Sequence, residues 1–427
     1  MTCCSPQSAA ILRPRRTADP SRLIRVPLRP VPLKTIPQFI LASLAVTWAP
    51  LPALAAISEA APLFTRISAP VSVPAEMSSH AMFVDVKING RGPFHVFVDT
   101  GCSVTLVSPE LAAAVEAIVP DPDEDPLYGT NGFGNATGLE RILLESIDLG
   151  GVRFEGVTAC VSDSFDKLSE VCGRRVDGTL GFPLFADLFV ALDFPNRRVL
   201  LSNSWPENVP PIRAELPEVE HAGVPFVLVH VQGRPVQVMI DTGSNQDLQL
   251  PSGLAPAMNW KDKPRPGSLV AVIGEIGREW IGRLEGTLRL GKVRQPEPTT
   301  VVSSGPASIG VRLLENFCVV FNESENKVWL CSADTRPISS PVERSIGLSL
   351  LLEAGGWRVA GIIPGSPAEE AHLSAGQLVT RIEGRSAKNW THDQIQQWID
   401  SHNAVALAVA DTSGERDLTL RVWSLVP

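Results

Sequence analysis

Alternating apolar and polar positions occur in two stretches that repeat one another. Residues 82–88 and 94–98 alternate about the turn Asn89-Gly90-Arg91, and 225–231 and 236–240 do so about Gln232-Gly233-Arg234. A period of two on either side of a tight turn predicts a β-hairpin in each place. The second strand of each runs into the same triplet: Val96-Phe97-Val98 into Asp99-Thr100-Gly101, and Val238-Met239-Ile240 into Asp241-Thr242-Gly243, 142 residues later. Further on, 180–201 aligns without a gap onto 309–330, starting from Leu180-Gly181 and Ile309-Gly310. Each half therefore reads hairpin, acid turn, Gly-rich middle, apolar-Gly step, short helix, final hairpin. Two halves of about 115 to 125 residues face each other as a pseudo-dimer.

The pattern changes after residue 332. The polar, Pro-bearing stretch 333–343 reads as a linker. Strands follow over 345–350, 359–363 and 377–382, with a short helix over 369–373 after the turn at Pro364-Gly365. Residues 391–401 form an amphipathic helix with Ile395, Trp398 and Ile399 on one face. Two closing strands, 404–410 and 417–422, flank Ser413-Gly414. The division is a leader over 1–56, a linker over 57–77, lobe one over 78–203, an inter-lobe linker over 204–219, lobe two over 220–332, a second linker, and a C-terminal module over 344–424.

Charge changes the picture at the N-terminus. The first 34 residues carry seven Arg/Lys and one acid, Asp19, and a Pro-broken apolar run over 36–56 ends in Ala53-Leu54-Ala55-Ala56. A basic region, a short apolar core and small residues describe a secretory signal peptide, or an anchor if the segment is retained. The expected location is outside the cytoplasm: a bacterial periplasm, or the membrane facing it. The leader contributes +6, so without it the formal charge falls from −9 to −15. An acidic protein repels nucleic acid, and membrane contact is expected only through a retained leader.

The chemistry lies in the two triplets. One Asp-Thr-Gly arises by chance about 0.1 times in a chain of this length; two behind matching apolar strands are specific. An isolated buried carboxylate is costly to desolvate, whereas two in contact share one proton, giving one base and one acid. The alternative is a plain strand-to-turn junction, with Asp bonding its own backbone and Gly supplying positive φ. No metal or cofactor is called for. Five cysteines follow the leader. Cys318 and Cys331 are symmetric about a hairpin turn over 322–327, and Cys160 and Cys172 make the other pair; each is either a disulfide or two small buried thiols.

Over residues 78–332 the chain resembles the retropepsin-like aspartic proteases in their single-chain, two-lobe form, at both Asp-Thr-Gly triplets and both apolar-Gly steps. The resemblance implies a mostly β, bilobal acid-protease barrel pair, with catalytic Asp99 and Asp241 holding a lytic water. It implies that Thr100 and Thr242 brace the loops across the two-fold, beside Gly101 and Gly243. Gly181 and Gly310 would let a strand pass closely behind each acid loop. A flap is implied at Tyr128-Gly129-Thr130-Asn131-Gly132-Phe133-Gly134-Asn135, and a second at 272–277 with Gly274 and Gly277, followed by Trp280. Two departures stand out: Cys102 replaces the usual Ser or Ala, and Asp247 occupies the hydroxyl position that Thr105 fills in lobe one. A third carboxylate that close either raises the pair's pKa values or points to solvent, and the second is expected of Asp247.

Residues 344–424 resemble a PDZ domain, a small β-barrel with two short helices, most tellingly at Gly361-Ile362-Ile363-Pro364-Gly365-Ser366-Pro367-Ala368. This implies a carboxylate-binding loop at Ile346-Gly347-Leu348, with His392 opening the groove helix, and a C-terminal peptide as partner. The expected activity is exported aspartic endopeptidase action on a polypeptide substrate. The competing expectation is a catalytically weak peptide-binding or chaperone-like protein built from the same modules.

Overall fold

The computed structural model describes residues 63–64, 67, 69–119, 127–130, 135–221, 223–272 and 275–427. The leader, and the flap residues Gly132, Gly134 and Gly274, lie outside the described residues. The fold is mostly β, as the alternation requires. Among the described residues no helix is long and apolar enough to cross a membrane.

Both hairpins form at the repeated positions. Ala81–Ile88 pairs with Arg91–Asp99, and Pro225–Val231 with Arg234–Ile240. Beside each acid strand lies the strand of the apolar-Gly step, in parallel register: Gly178–Gly181 places Gly181 opposite Asp99, and Ser308–Ile309 places Ile309 opposite Ile240. The two lobes share a sheet. Phe189–Asp193 of lobe one pairs antiparallel with Cys318–Asn322 of lobe two, and Ala191 sits opposite Val320. Those two residues are counterparts in the gapless repeat, so the pseudo-two-fold passes between them. A self-complementary contact of this kind is what two copies of one unit form about a two-fold. One apolar core runs through both lobes, including Val98, Leu180, Ile240 and Ile309.

The linkers are shorter than the sequence suggests. Val71–Pro74 extends the shared sheet beside Arg198–Ser202, Glu76–Ser78 pairs with the first hairpin, and Ile212–His221 bridges lobe two's hairpin to Lys327–Cys331. Each satisfies a sheet edge that would otherwise expose unpaired backbone.

The C-terminal module has its own core around Trp357, Val359, Ile395 and Val405. Its sheet runs in the order Leu348–Glu353, Gly356–Ile362, Leu378–Ile382, Ala404–Asp411, Gly414–Arg421, so the first strand is an edge. The short helix forms earlier than expected, over Pro367–Glu370, because Ser366 caps it and Pro367 opens it. Thr391 caps His392–Ser401 with a capping box closed by Gln394. Glu343–Ser345 pairs with Trp423–Val426, so the strand past 424 belongs to the module.

All five described cysteines are thiols. Cys318 and Cys331 face each other directly across their hairpin. Cys160 lies in a strand and Cys172 ends the helix Ser164–Cys172.

Candidate active site

Each acid loop begins where a buried strand ends. Val98 and Ile240 are fully buried, while Asp99 and Asp241 are only half-buried, so the carboxylates sit at the mouth of the core. Two threonines tie the loops together. Thr100 N–H donates to Thr242 Oγ1 at 3.0 Å and Thr242 N–H to Thr100 Oγ1 at 3.1 Å. Each hydroxyl then donates into the opposite strand: Thr100 Oγ1 to the Ile240 carbonyl at 2.6 Å, Thr242 Oγ1 to the Val98 carbonyl at 2.8 Å. Both N–H groups and both hydroxyls of this buried crossing are used.

The glycines are required by proximity. A Cβ on Gly101 would lie 2.3 Å from Asp241 Oδ1, and one on Gly243 would lie 2.5 Å from the Asp99 carboxyl group. Each acid therefore leans over the other's loop. Each glycine N–H donates to its own acid, Gly101 to Asp99 Oδ1 and Gly243 to Asp241 Oδ1, both at 2.9 Å. Behind the loops, a Cβ on Gly181 would meet the Val104 carbonyl at 2.5 Å and one on Gly310 the Ser244 carbonyl at 2.5 Å. The same backbone bond occurs twice: Phe182 N–H to Cys102 O at 2.9 Å, and Val311 N–H to Ser244 O at 2.8 Å.

Electrostatics follow from contact. Burial raises Asp99 well above the ordinary carboxylate range, and the neighbouring Asp241 charge raises it further against the opposing bonds from Gly101 and Gly243. Burial also raises Asp241, opposed by the Gly243 and Ser244 N–H groups. Like charges this close cannot both ionise, so the pair holds a single proton over a wide pH range.

Cys102 keeps a donor beside the acid, its thiol reaching the Val104 carbonyl at 3.0 Å. Burial, then Asp99, push its ionisation far up, so it is a neutral thiol. Thr105 accepts from Gly181 N–H at 3.3 Å. Asp247 does not point to solvent. It is 2 % exposed: burial raises its pKa, the nearby Arg312 charge opposes that shift only in part, and its Oδ2 is buried without a hydrogen-bond partner. Arg312 also pairs with Glu343, which joins the helix behind the second acid loop to the first strand of the C-terminal module. Sequence reasoning missed this cluster; the available signal was a charge inside an otherwise apolar run, Val311-Arg312-Leu313-Leu314.

The flap regions are hairpins. Leu127–Thr130, with Tyr128 opposite Gly138, pairs with the start of Ala136–Leu149. In lobe two, Trp260–Val272 pairs with Glu275–Leu284, which places Gly277 within a strand opposite Val270. The hairpins meet: Asn135 Nδ2 donates to Glu275 Oε2 at 2.6 Å. Trp280 on the second is half exposed.

In the C-terminal module Gly347 has φ +91°, and its N–H donates to Ser345 Oγ at 2.9 Å. Ile346 is buried in the module's core and Leu348 begins the edge strand. His392 opens the groove helix with its ring tilted against Trp357, and its Nδ1 is buried without a partner.

No curated protein matches the chain. Two family models match parts of it: aspartyl protease over residues 84–184 and PDZ domain over 339–410. The first covers the lobe of Asp99 and Gly181, and lobe two joins it through the threonine crossing and the shared sheet. An aspartyl protease domain and, after it, a C-terminal PDZ domain are therefore what this chain carries.

Proposed function

We propose that this chain is an exported aspartic endopeptidase. The observation that supports the reading is the threonine crossing, which brings the loops of Asp99 and Asp241 together from 142 positions apart, so that the two carboxylates would share one water. With one proton on the pair, the ionised carboxylate takes a proton from water as it attacks the scissile carbonyl carbon. The protonated one donates to the carbonyl oxygen. The tetrahedral intermediate collapses with C–N cleavage, and the proton taken from water goes to the departing amine. The hairpins bearing Tyr128 and Trp280 would hold the polypeptide extended by strand pairing. Export would put Cys318 and Cys331 where their facing positions can oxidise to a disulfide.

The test is cleavage of an unfolded protein across pH 3 to 8, beside Asp99→Asn and Asp241→Asn. Loss of cleavage in both folded variants is expected, and unchanged cleavage in either sinks the mechanism. A second reading, a peptide-holding protein that does not cleave, is favoured by the neutral thiol of Cys102 beside the acid pair. It predicts no cleavage by the parent at any pH, together with binding of unfolded polypeptide.

A further inference from the structure

The peptide groove that the PDZ resemblance implies would lie between the edge strand, Leu348–Glu353, and the helix His392–Ser401. Elements of the protease lobes cover both sides. The lobe-one helix Ser164–Cys172 packs along the edge strand. Its cap Gly173 lies against Trp357 and the first amide of the groove helix, where a Cβ would come 2.9 Å from the indole. At that helix start Asp393 accepts from Ser78 Oγ at 3.0 Å and Ser79 N at 2.9 Å.

A second protease element on that strand is the lobe-two flap hairpin. Leu269 N–H donates to Ser349 Oγ at 2.9 Å, Arg278 donates to the Ile362 carbonyl at 3.0 Å, and Leu269 packs on Gly361. Ser349 and Leu351 alternate with the groove-side Leu348 and Leu350, and are buried. The hairpin's far end holds Glu275, bonded to Asn135 of the lobe-one flap. A continuous series of contacts thus runs from the groove strand to the meeting of the two flaps.

Closure leaves a mark on the groove. The edge strand pairs on one side only, and a helix cannot complete its backbone ladder, while His392 Nδ1 is buried with no partner. An extended peptide would supply a ladder. We propose that the Ser164–Gly173 segment is a built-in stopper of the PDZ groove. A peptide with an apolar end and a free C-terminal carboxylate displaces it, releasing the lobe-two flap from Ser349 and Ile362 and opening the acid pair to substrate. The PDZ domain is then a gate on proteolysis rather than a tether beside it. This inference rests on the endopeptidase reading for its consequence, though not for the closure itself.

Closure lowers apparent peptide affinity by the fraction of molecules that are open. Each latch bond holds by about fivefold in population. The test uses full-length chain carrying Asp99→Asn and a fluorescein-labelled octapeptide ending in Val-Leu-Val with a free carboxylate, its amide serving as control. Arg278→Ala with Ser349→Ala should tighten binding by about tenfold or more. Gly361→Ala wedges the same contact from the other side and should act in the same direction. Peptide should raise amide exchange in 164–173 and 260–284, and should speed cleavage by the chain that keeps Asp99. Equal affinity in parent and variants, absence of binding, or exchange that ignores the peptide would overturn the stopper. Peptide-driven exchange with no cleavage at any pH would support the stopper and remove the endopeptidase reading instead.

Discussion

Thr100 and Thr242 exchange hydrogen bonds in both directions, N–H to hydroxyl at 3.0 and 3.1 Å, and each hydroxyl reaches the strand that leads to the other. The four bonds are buried and reciprocal, so neither loop takes its position without its counterpart. Thr242→Val keeps the shape and removes two of them, leaving Thr100 N–H without an acceptor. A loss of about 2–4 kcal/mol is expected, readable by urea unfolding, with a parallel fall in cleavage. A stability change near zero would mean that the crossing does not join the lobes.

Gly101 has no room for a methyl group, since its Cβ would fall 2.3 Å from Asp241 Oδ1. Gly101→Ala must displace the second acid, and misplacement by about 1 Å costs on the order of a hundredfold in rate. The expected result is a folded chain, by circular dichroism, with cleavage down at least that far. Gly90 has nothing within 4 Å of its would-be Cβ and serves as control, its Ala variant losing only turn stability at φ +73°.

The raised carboxylates give a pH dependence with a definite sign. Asp99 binds its proton more tightly folded than unfolded, so its contribution is fully present below the unfolded value of about 3.9 and is lost as pH rises through the folded one. At neutral pH the native pair is therefore a cost, and Asp99→Asn should raise Tm there, by about 2–4 °C for each kcal/mol relieved. The gain should vanish near pH 3. For the parent, the shared proton persists to higher pH than in ordinary carboxylates, extending cleavage toward neutrality; activity confined below pH 4 would contradict the arrangement.

His392 makes the groove closure weaker in acid. Burial lowers its pKa, with Asp393 on its own helix opposing and His80 from the 76–88 hairpin adding to the shift; Cys172 faces Asp393 from the covering helix. An imidazole that titrates lower when covered stabilises closure fully above its ordinary value of about 6.5 and less as pH falls below it. Amide exchange in 164–173 should therefore rise between pH 7.5 and 5.5, and His392→Gln should flatten that rise.

The acid strands, both triplets and the two glycine steps are legible in the sequence because their causes are local or repeated. An apolar run of period two ends in a carboxylate twice, and the same spacing to a second glycine follows twice. Thr391 announces the groove helix for a similar reason, since a cap is a contact over three residues. The burial of Asp247 is not legible in the sequence, because a carboxylate in isolation prefers water; Arg312, the charge that most opposes its burial cost, lies 65 positions further on.

The sequence alone thus determined two similar halves, one acid turn in each and a distinct C-terminal module, since turn chemistry, strand periodicity and internal repetition act over short stretches. Only the tertiary structure decided that the threonines cross, that Ala191 meets Val320 on the pseudo-two-fold, and that a lobe-one helix and the lobe-two flap cover the PDZ groove. These are pairings between distant surfaces. Their free energy comes from burying both partners at once, and no single stretch of chain carries a record of the other.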